Sequence, residues 1–227
     1  MRRFFVDPDK ITGDRAILTD TEAHHIKNVL RLAPGKSIRL FDGSGNIYTA
    51  DIEKLAKTQV EVRITASEPA KPTGPEVCLG QALLTGKKFD LIIQKATELG
   101  IHSLFPFVSA HSTAKQTRDN KLSRWERISF EACKQSNRPV PMKIQPISDY
   151  QSLLTSANEF DRKIIFWEDE NSRSLDQLHP LESMNPQNSL LFLIGPEGGF
   201  RKDEVALATQ NGFSSVTLGP RILRAET

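Results

Sequence analysis

The chain has 227 residues, 38% of them hydrophobic, with a net charge of +2. That length fits one large or two small domains, and the composition is that of an ordinary soluble protein. No apolar run approaches the roughly 20 residues of a membrane span, and Asp7 and Pro8 interrupt the N-terminal apolar stretch too early for a secretory signal.

Residues 1–70 read as short strands and turns around one helix. Arg2 to Val6 is a strand candidate, followed by a turn at Asp7-Pro8-Asp9. Thr19 to Leu32 reads as a helix with Ala23, Ile26, Val29 and Leu30 as its apolar stripe, stopped by Ala33-Pro34-Gly35. Ser37–Phe41, Asn46–Ile52 and Gln59–Thr65 alternate apolar and polar residues, which predicts antiparallel hairpins and a small β-barrel. Ser67 to Pro75, rich in proline, reads as a linker and places a domain boundary near residue 70.

From residue 71 strands alternate with helices. Val77–Leu84 is a strand, and Lys87–Leu99 an amphipathic helix closed by Gly100. Ile101–Val108 is a strand, and Asn120–Gln135 a helix with Leu122, Trp125, Ser129 and Ala132 on one face. Asp149–Ser156 is a shorter helix and Lys163–Trp167 a buried strand. Leu190–Ile194 is unbroken hydrophobe, the habit of a strand buried on both faces, and Arg201 opens a helix with acids in its first turns. The fold class is therefore α/β with a mostly parallel sheet over residues 71–227. Cys78 and Cys133, the only cysteines, read as buried small hydrophobes in a reducing cytoplasm.

Two turns mark the candidate site. Gly195-Pro196-Glu197-Gly198-Gly199 follows one buried strand, and Leu218-Gly219-Pro220-Arg221-Ile222-Leu223-Arg224 follows Val216. Open α/β sheets bind ligands at such turns, outside the carboxyl ends of their strands. There is no P-loop and no G-x-G-x-x-G pattern, and Glu197 would oppose a polyphosphate. A cationic or neutral ligand held by backbone groups fits better. The five histidines, His24-His25 included, show no metal-ligand spacing, so no metal is expected. No nucleophile elbow is present. Lys and Arg outnumber Asp and Glu by ten to six over residues 76–140 and are outnumbered eight to twelve over residues 141–227. The basic middle suggests a nucleic-acid face.

The two turns, through to Thr227, combine with further motifs: Ile93-Gln94-Lys95-Ala96-Thr97-Glu98-Leu99-Gly100, Arg124-Trp125, Glu131-Ala132-Cys133-Lys134-Gln135-Ser136, and His24-His25 with Val29-Leu30-Arg31. Together they resemble the RsmE family of SPOUT methyltransferases nearly end to end. The resemblance implies a PUA-like barrel over residues 1–70 and a trefoil-knot methyltransferase domain over 71–227, acting as a cytoplasmic homodimer. It implies transfer of a methyl group from S-adenosyl-L-methionine to N3 of one uridine in 16S ribosomal RNA, with the small ribosomal subunit as partner. The family pattern continues past Ala225-Glu226-Thr227 into a last helix that completes the knot, the pocket and part of the dimer contact. A closing helix is thus expected to be missing from this sequence. The rival readings are a non-catalytic RNA-binding assembly factor and a same-fold methyltransferase for another RNA base.

By that resemblance the cofactor pocket takes Ile194, Gly195, Pro196, Glu197, Gly198, Gly199, Leu218, Gly219, Ile222 and Leu223. Phe166, with Trp167 and Glu168, supplies a third side. Loss of the N3 proton requires a base or a stabilising cation. Arg221 and Glu226 are the catalytic candidates, with Glu197 as a second possible base and Arg224 as a further anion contact. RNA-binding candidates are Arg2, Arg3, His25, Lys27, Arg31 and Arg39 on the barrel. Lys87, Lys88, Arg124, Lys134 and Arg138 are those on the catalytic domain.

Overall fold

Alternation of apolar and polar residues builds the first sheet. A computed structural model describes residues 3–71, 74–112, 120–136, 138–178 and 184–227. Strands β1 (Arg3–Phe5), β2 (Ile11–Thr12), β3 (Arg15–Thr19), β4 (Ser37–Phe41), β5 (Asn46–Leu55) and β6 (Gln59–Pro69) pair in the order β1-β4-β5-β6-β3-β2. Every pair is antiparallel except β1 with β4. Every second residue turns inward, so Leu18, Ile38, Leu40, Ile52, Val60 and Val62 share one buried cluster. Each such side chain contributes roughly 1.5–3 kcal/mol of burial. A bulge between Thr49 and Ala50 bends β5. The expected barrel is a curled six-stranded sheet.

Two sequence expectations change here. The helix predicted over Thr19–Leu32 is a short α1 (Asp20–His24) that widens into a π turn at His25–Val29, and Thr19 closes β3. The wider turn shifts the apolar stripe. Ala23 and Ile26 stay buried, whereas Val29 is 61% exposed. The predicted linker begins late, because Ser67, Glu68 and Pro69 pair with Tyr48, Ile47 and Asn46 as the end of β6. Pro69 sits at the last strand position, where a missing N–H is tolerated. Of the remaining linker, Pro72 and Thr73 lie outside the described residues.

The second sheet is parallel throughout. β7 (Glu76–Ala82), β8 (Ser103–Val108), β10 (Ser148–Asp149), β11 (Arg162–Phe166), β12 (Ser189–Ile194) and β13 (Ser214–Val216) run in the order β10-β8-β7-β12-β11-β13, and β9 (Lys143–Ile144) pairs with β8. Helices cover both faces. Leu191 and Leu193 of β12 join a cluster with Leu153 of α4 (Tyr150–Ser156) and Val205 and Ala208 of α5 (Lys202–Gln210). Phe192 and Ile194 face the opposite cluster, with Phe89 and Ile93 of α2 (Lys88–Glu98) and Trp125 of α3 (Asn120–Ser136). A strand covered on both sides can carry no polar residue on either, which explains the unbroken apolar run in β12.

The predicted face of α3 is the buried one: Trp125, Ser129 and Ala132 are each at most 4% exposed. Ser129 repays its burial by donating to the Met142 carbonyl at 3.2 Å. Cys78 and Cys133 are free and buried, and burial raises both thiols, to about 12 and about 11. The chain divides into one unit through Lys71 that also takes in Cys133–Pro141, and a second of Pro72–Ala132 with Met142–Thr227. Lys134 and Arg138 therefore belong with the first unit, not the second where sequence reading put them. Among the described residues no helix is long and apolar enough to cross a membrane.

Candidate functional site

The carboxyl ends of β11, β12 and β13 surround a pocket of about 420 Å³, within the ~300–1,000 Å³ typical of small-molecule sites. The turn after β12 supplies Gly195, Pro196, Glu197 and Gly199, and Ile194 ends the strand below them. The turn after β13 supplies Leu218, Gly219, Arg221, Ile222 and Leu223. Phe166 and Trp167 close the third side. Of the predicted pocket residues only Gly198 does not line the cavity; its carbonyl accepts a hydrogen bond from His111 Nδ1 at 2.9 Å.

Local chemistry fixes both turns. Gly199 adopts φ +68°, and its N–H returns to the Pro196 carbonyl at 3.0 Å. Only glycine takes that conformation without cost, and a Cβ there would collide with the Glu168 carboxylate. In the other turn, Thr217 Oγ1 accepts from the Gly219 N–H at 3.2 Å and lies 3.0 Å from the Gly219 carbonyl, to which it donates.

Glu197 is tied to its neighbours. Its Oε1 accepts from Thr85 N–H at 3.1 Å, from Thr85 Oγ1 at 2.8 Å and from Lys88 Nζ at 3.2 Å. Burial opposes ionisation of this carboxyl, but those hydrogen bonds outweigh it and hold its pKa at about 2. That value lies below the ~4.3 of an unfolded Glu, so the anchor contributes fully above that pH and fades as pH falls toward 2. The melting temperature of Glu197→Gln is expected to fall below wild type at pH 7. The gap should narrow below about pH 4, which thermal denaturation across a pH series will measure.

The pocket is rich in charge. Glu168, Glu170, Glu197 and Glu226 line it, against Lys88, Arg221 and Arg224. Lys88, predicted to hold RNA, pairs here with Glu197 at 3.2 Å. Hydrogen bonds from the Ser172 hydroxyl and N–H hold Glu170 at about 2. Glu226 differs from these: its side chain is 15% exposed, Arg224 Nη1 approaches Oε1 at 3.9 Å, and Oε2 is buried without a hydrogen-bond partner. A buried oxygen left unpaired is costly unless a ligand group completes it. Lys88, Glu170 and Asn171 were not legible as pocket residues, since only the fold brings them to the carboxyl edge.

The basic candidates divide. In the first unit β1 and β4 set Arg3 opposite Arg39, and Cys133 Sγ donates to the Arg138 carbonyl at 2.8 Å. Burial, then Arg39, lowers the Arg3 guanidinium pKa, and burial lowers that of Arg138. Arg31 is exposed at φ +49°, and the exposed His25 ring meets Phe4 edge-on at 5.8 Å. Arg39 pairs with Glu68, Lys134 with Glu22 at 3.5 Å, and Lys27 with the carbonyls of Ala56 and Lys57. In the second unit Lys87 is exposed at the start of α2, and Arg124 pairs with Asp90. Arg2 lies outside the described residues.

A parallel sheet with a ligand-sized pocket at its carboxyl edge describes an α/β enzyme, and comparison with known proteins specifies the class. Residues 71–227 match the family model of the RNA methyltransferase domain, and residues 18–65 that of the RNA methyltransferase PUA domain. The chain is 31% identical to ribosomal RNA small subunit methyltransferase E of Bacillus subtilis (strain 168), covering all of this chain and 92% of that protein. It is 34% identical to the protein of the same name from Mesomycoplasma hyopneumoniae (strain 232), covering 100% and 95%. A crystal structure of a ribosomal RNA small subunit methyltransferase E from Neisseria gonorrhoeae bound to S-adenosyl methionine superposes with a TM-score of 0.80 at 31% identity, covering 100% and 92%. The chain belongs to the ribosomal RNA small subunit methyltransferase E family.

Proposed function

We propose that the chain transfers the methyl group of S-adenosylmethionine to N3 of a uridine in 16S ribosomal RNA. The observation that carries this reading is the pocket walled by the two Gly-Pro turns, with Glu226, whose Oε2 has no hydrogen-bond partner, in its lining. Apolar side chains (Phe166, Ile194, Leu218, Ile222 and Leu223) suit an adenine face, and the Gly195 and Gly219 backbones allow close approach. Glu168 and Glu170 place negative charge where a cationic ligand sits.

When bound, the cofactor supplies an electrophilic methyl group on a sulfonium sulfur and leaves as a neutral thioether. The chain's own task is to hold the uracil ring in line and to remove a proton. The Glu226 carboxylate accepts the N3 proton, which frees the nitrogen lone pair to bond the methyl carbon. Arg221, exposed at the pocket, offsets the negative charge left on the ring. His25, Arg31 and Lys87, all exposed, supply phosphate contacts. The target base leaves its stack to reach the donor. By family resemblance the enzyme works as a homodimer in the cytoplasm, with a knotted second domain and the small ribosomal subunit as partner.

Incubation with tritiated donor and small-subunit RNA is expected to label the RNA, with yields that fall steeply as salt rises. RNA retained on the protein without label would favour the assembly-factor reading.

A further inference from the structure

We infer that His111 is a positioning residue that locks the cofactor turn in its binding conformation. This rests on the donor-pocket reading above. The bond between Gly198 and Gly199 carries the Gly198 carbonyl at one end and the Gly199 N–H at the other. The N–H is held by the Pro196 carbonyl at 3.0 Å and the carbonyl by His111 Nδ1 at 2.9 Å. A carbonyl only accepts, so Nδ1 carries the proton. Between two glycines a peptide plane can rotate at little steric cost. With one end free, the unit would sample flipped states in which Gly199 leaves φ +68° and the pocket wall changes shape.

His111 can hold the peptide because its neighbours Ala110 and Ser112 are fixed. The Ala110 N–H donates to Glu204 Oε1 at 2.9 Å, and Glu204 Oε2 accepts from the Arg201 N–H at 3.0 Å. Glu204 is only 8% exposed and lies in the first turn of α5, directly after the glycine turn. The Ser112 N–H donates to the Ser109 carbonyl at 3.0 Å, closing a turn over Ser109–Ser112. Packing agrees: a Cβ on Gly198 would lie 3.1 Å from His111 Cβ, so glycine there lets the imidazole come close. Gly198 is the one turn residue outside the pocket lining, consistent with a role behind the wall.

Titration of wild type, His111→Ala and His111→Asn with S-adenosylmethionine separates the possibilities. Loss of one exposed hydrogen bond predicts roughly three- to tenfold weaker donor binding in His111→Ala. His111→Asn, whose amide can donate from the same place, should recover to within about twofold of wild type. The melting temperatures should stay alike, and in turnover the change should fall on the KM for the donor rather than on kcat. Wild-type affinity in His111→Ala, or no recovery in His111→Asn, would overturn the inference. If wild type itself failed to bind the donor, the pocket reading would fall, and this inference with it.

Discussion

Gly199→Trp is expected to abolish S-adenosylmethionine binding while leaving RNA binding intact. Two effects act together. A non-glycine residue at φ +68° carries a backbone cost of about 1–2 kcal/mol. Its Cβ would also meet the Glu168 carboxylate, so the indole must either displace Glu168 or enter the pocket. Glu168 is the exposed end of a flexible side chain and can move, so the indole volume and the strained turn carry the main loss. Calorimetry should show donor affinity reduced by at least about a hundredfold, or nearly 3 kcal/mol. Circular dichroism should show a folded protein, because the turn lies at the carboxyl edge and the two clusters flanking β12 remain. Donor binding at wild-type strength would mean that the site lies elsewhere.

Glu226→Gln should lower kcat by roughly 10²- to 10⁴-fold, the range for loss of a general base, with donor affinity little changed. The substitution keeps shape and hydrogen-bonding capacity but removes the ability to accept a proton. Glu226 is singled out by its surroundings. Glu197 is consumed by Thr85 and Lys88, and Glu170 by Ser172. Glu226 Oε2 is buried and lacks a partner. Single-turnover rates compared with titration will separate chemistry from binding. A kcat within about threefold of wild type would assign the proton to another acceptor.

The pocket turns were readable in the sequence where backbone chemistry dictates them. Gly195, Pro196, Gly199 and Gly219 announce turns because few residues can take their place, and the pure apolar run of β12 announces a strand covered on both faces. Residues whose roles depend on distant partners were not readable. Lys27, Arg39 and Lys134 resemble a phosphate-binding set, yet each meets a group far along the chain, at Ala56, Glu68 and Glu22. Lys88 and Glu197 looked like an RNA contact and a candidate base, but they face each other across 109 residues of chain. His111 gives no local signal, since its partner is Gly198. Short elements were the weakest point of the fold reading. β2, β9 and β10 have two residues each, too few for a periodicity to show. The π turn after α1 broke a stripe that continued cleanly on paper.

The methyl group is expected on one atom of one base. Small-subunit RNA incubated with the protein and S-adenosylmethionine should be digested to nucleosides and resolved by mass spectrometry against methyluridine standards. The account predicts a single new nucleoside, N3-methyluridine, absent with Gly199→Trp and strongly reduced with Glu226→Gln. A methyl group on carbon 5, on the ribose or on another base, or no methyl group from a wild-type protein that binds both donor and RNA, would contradict it.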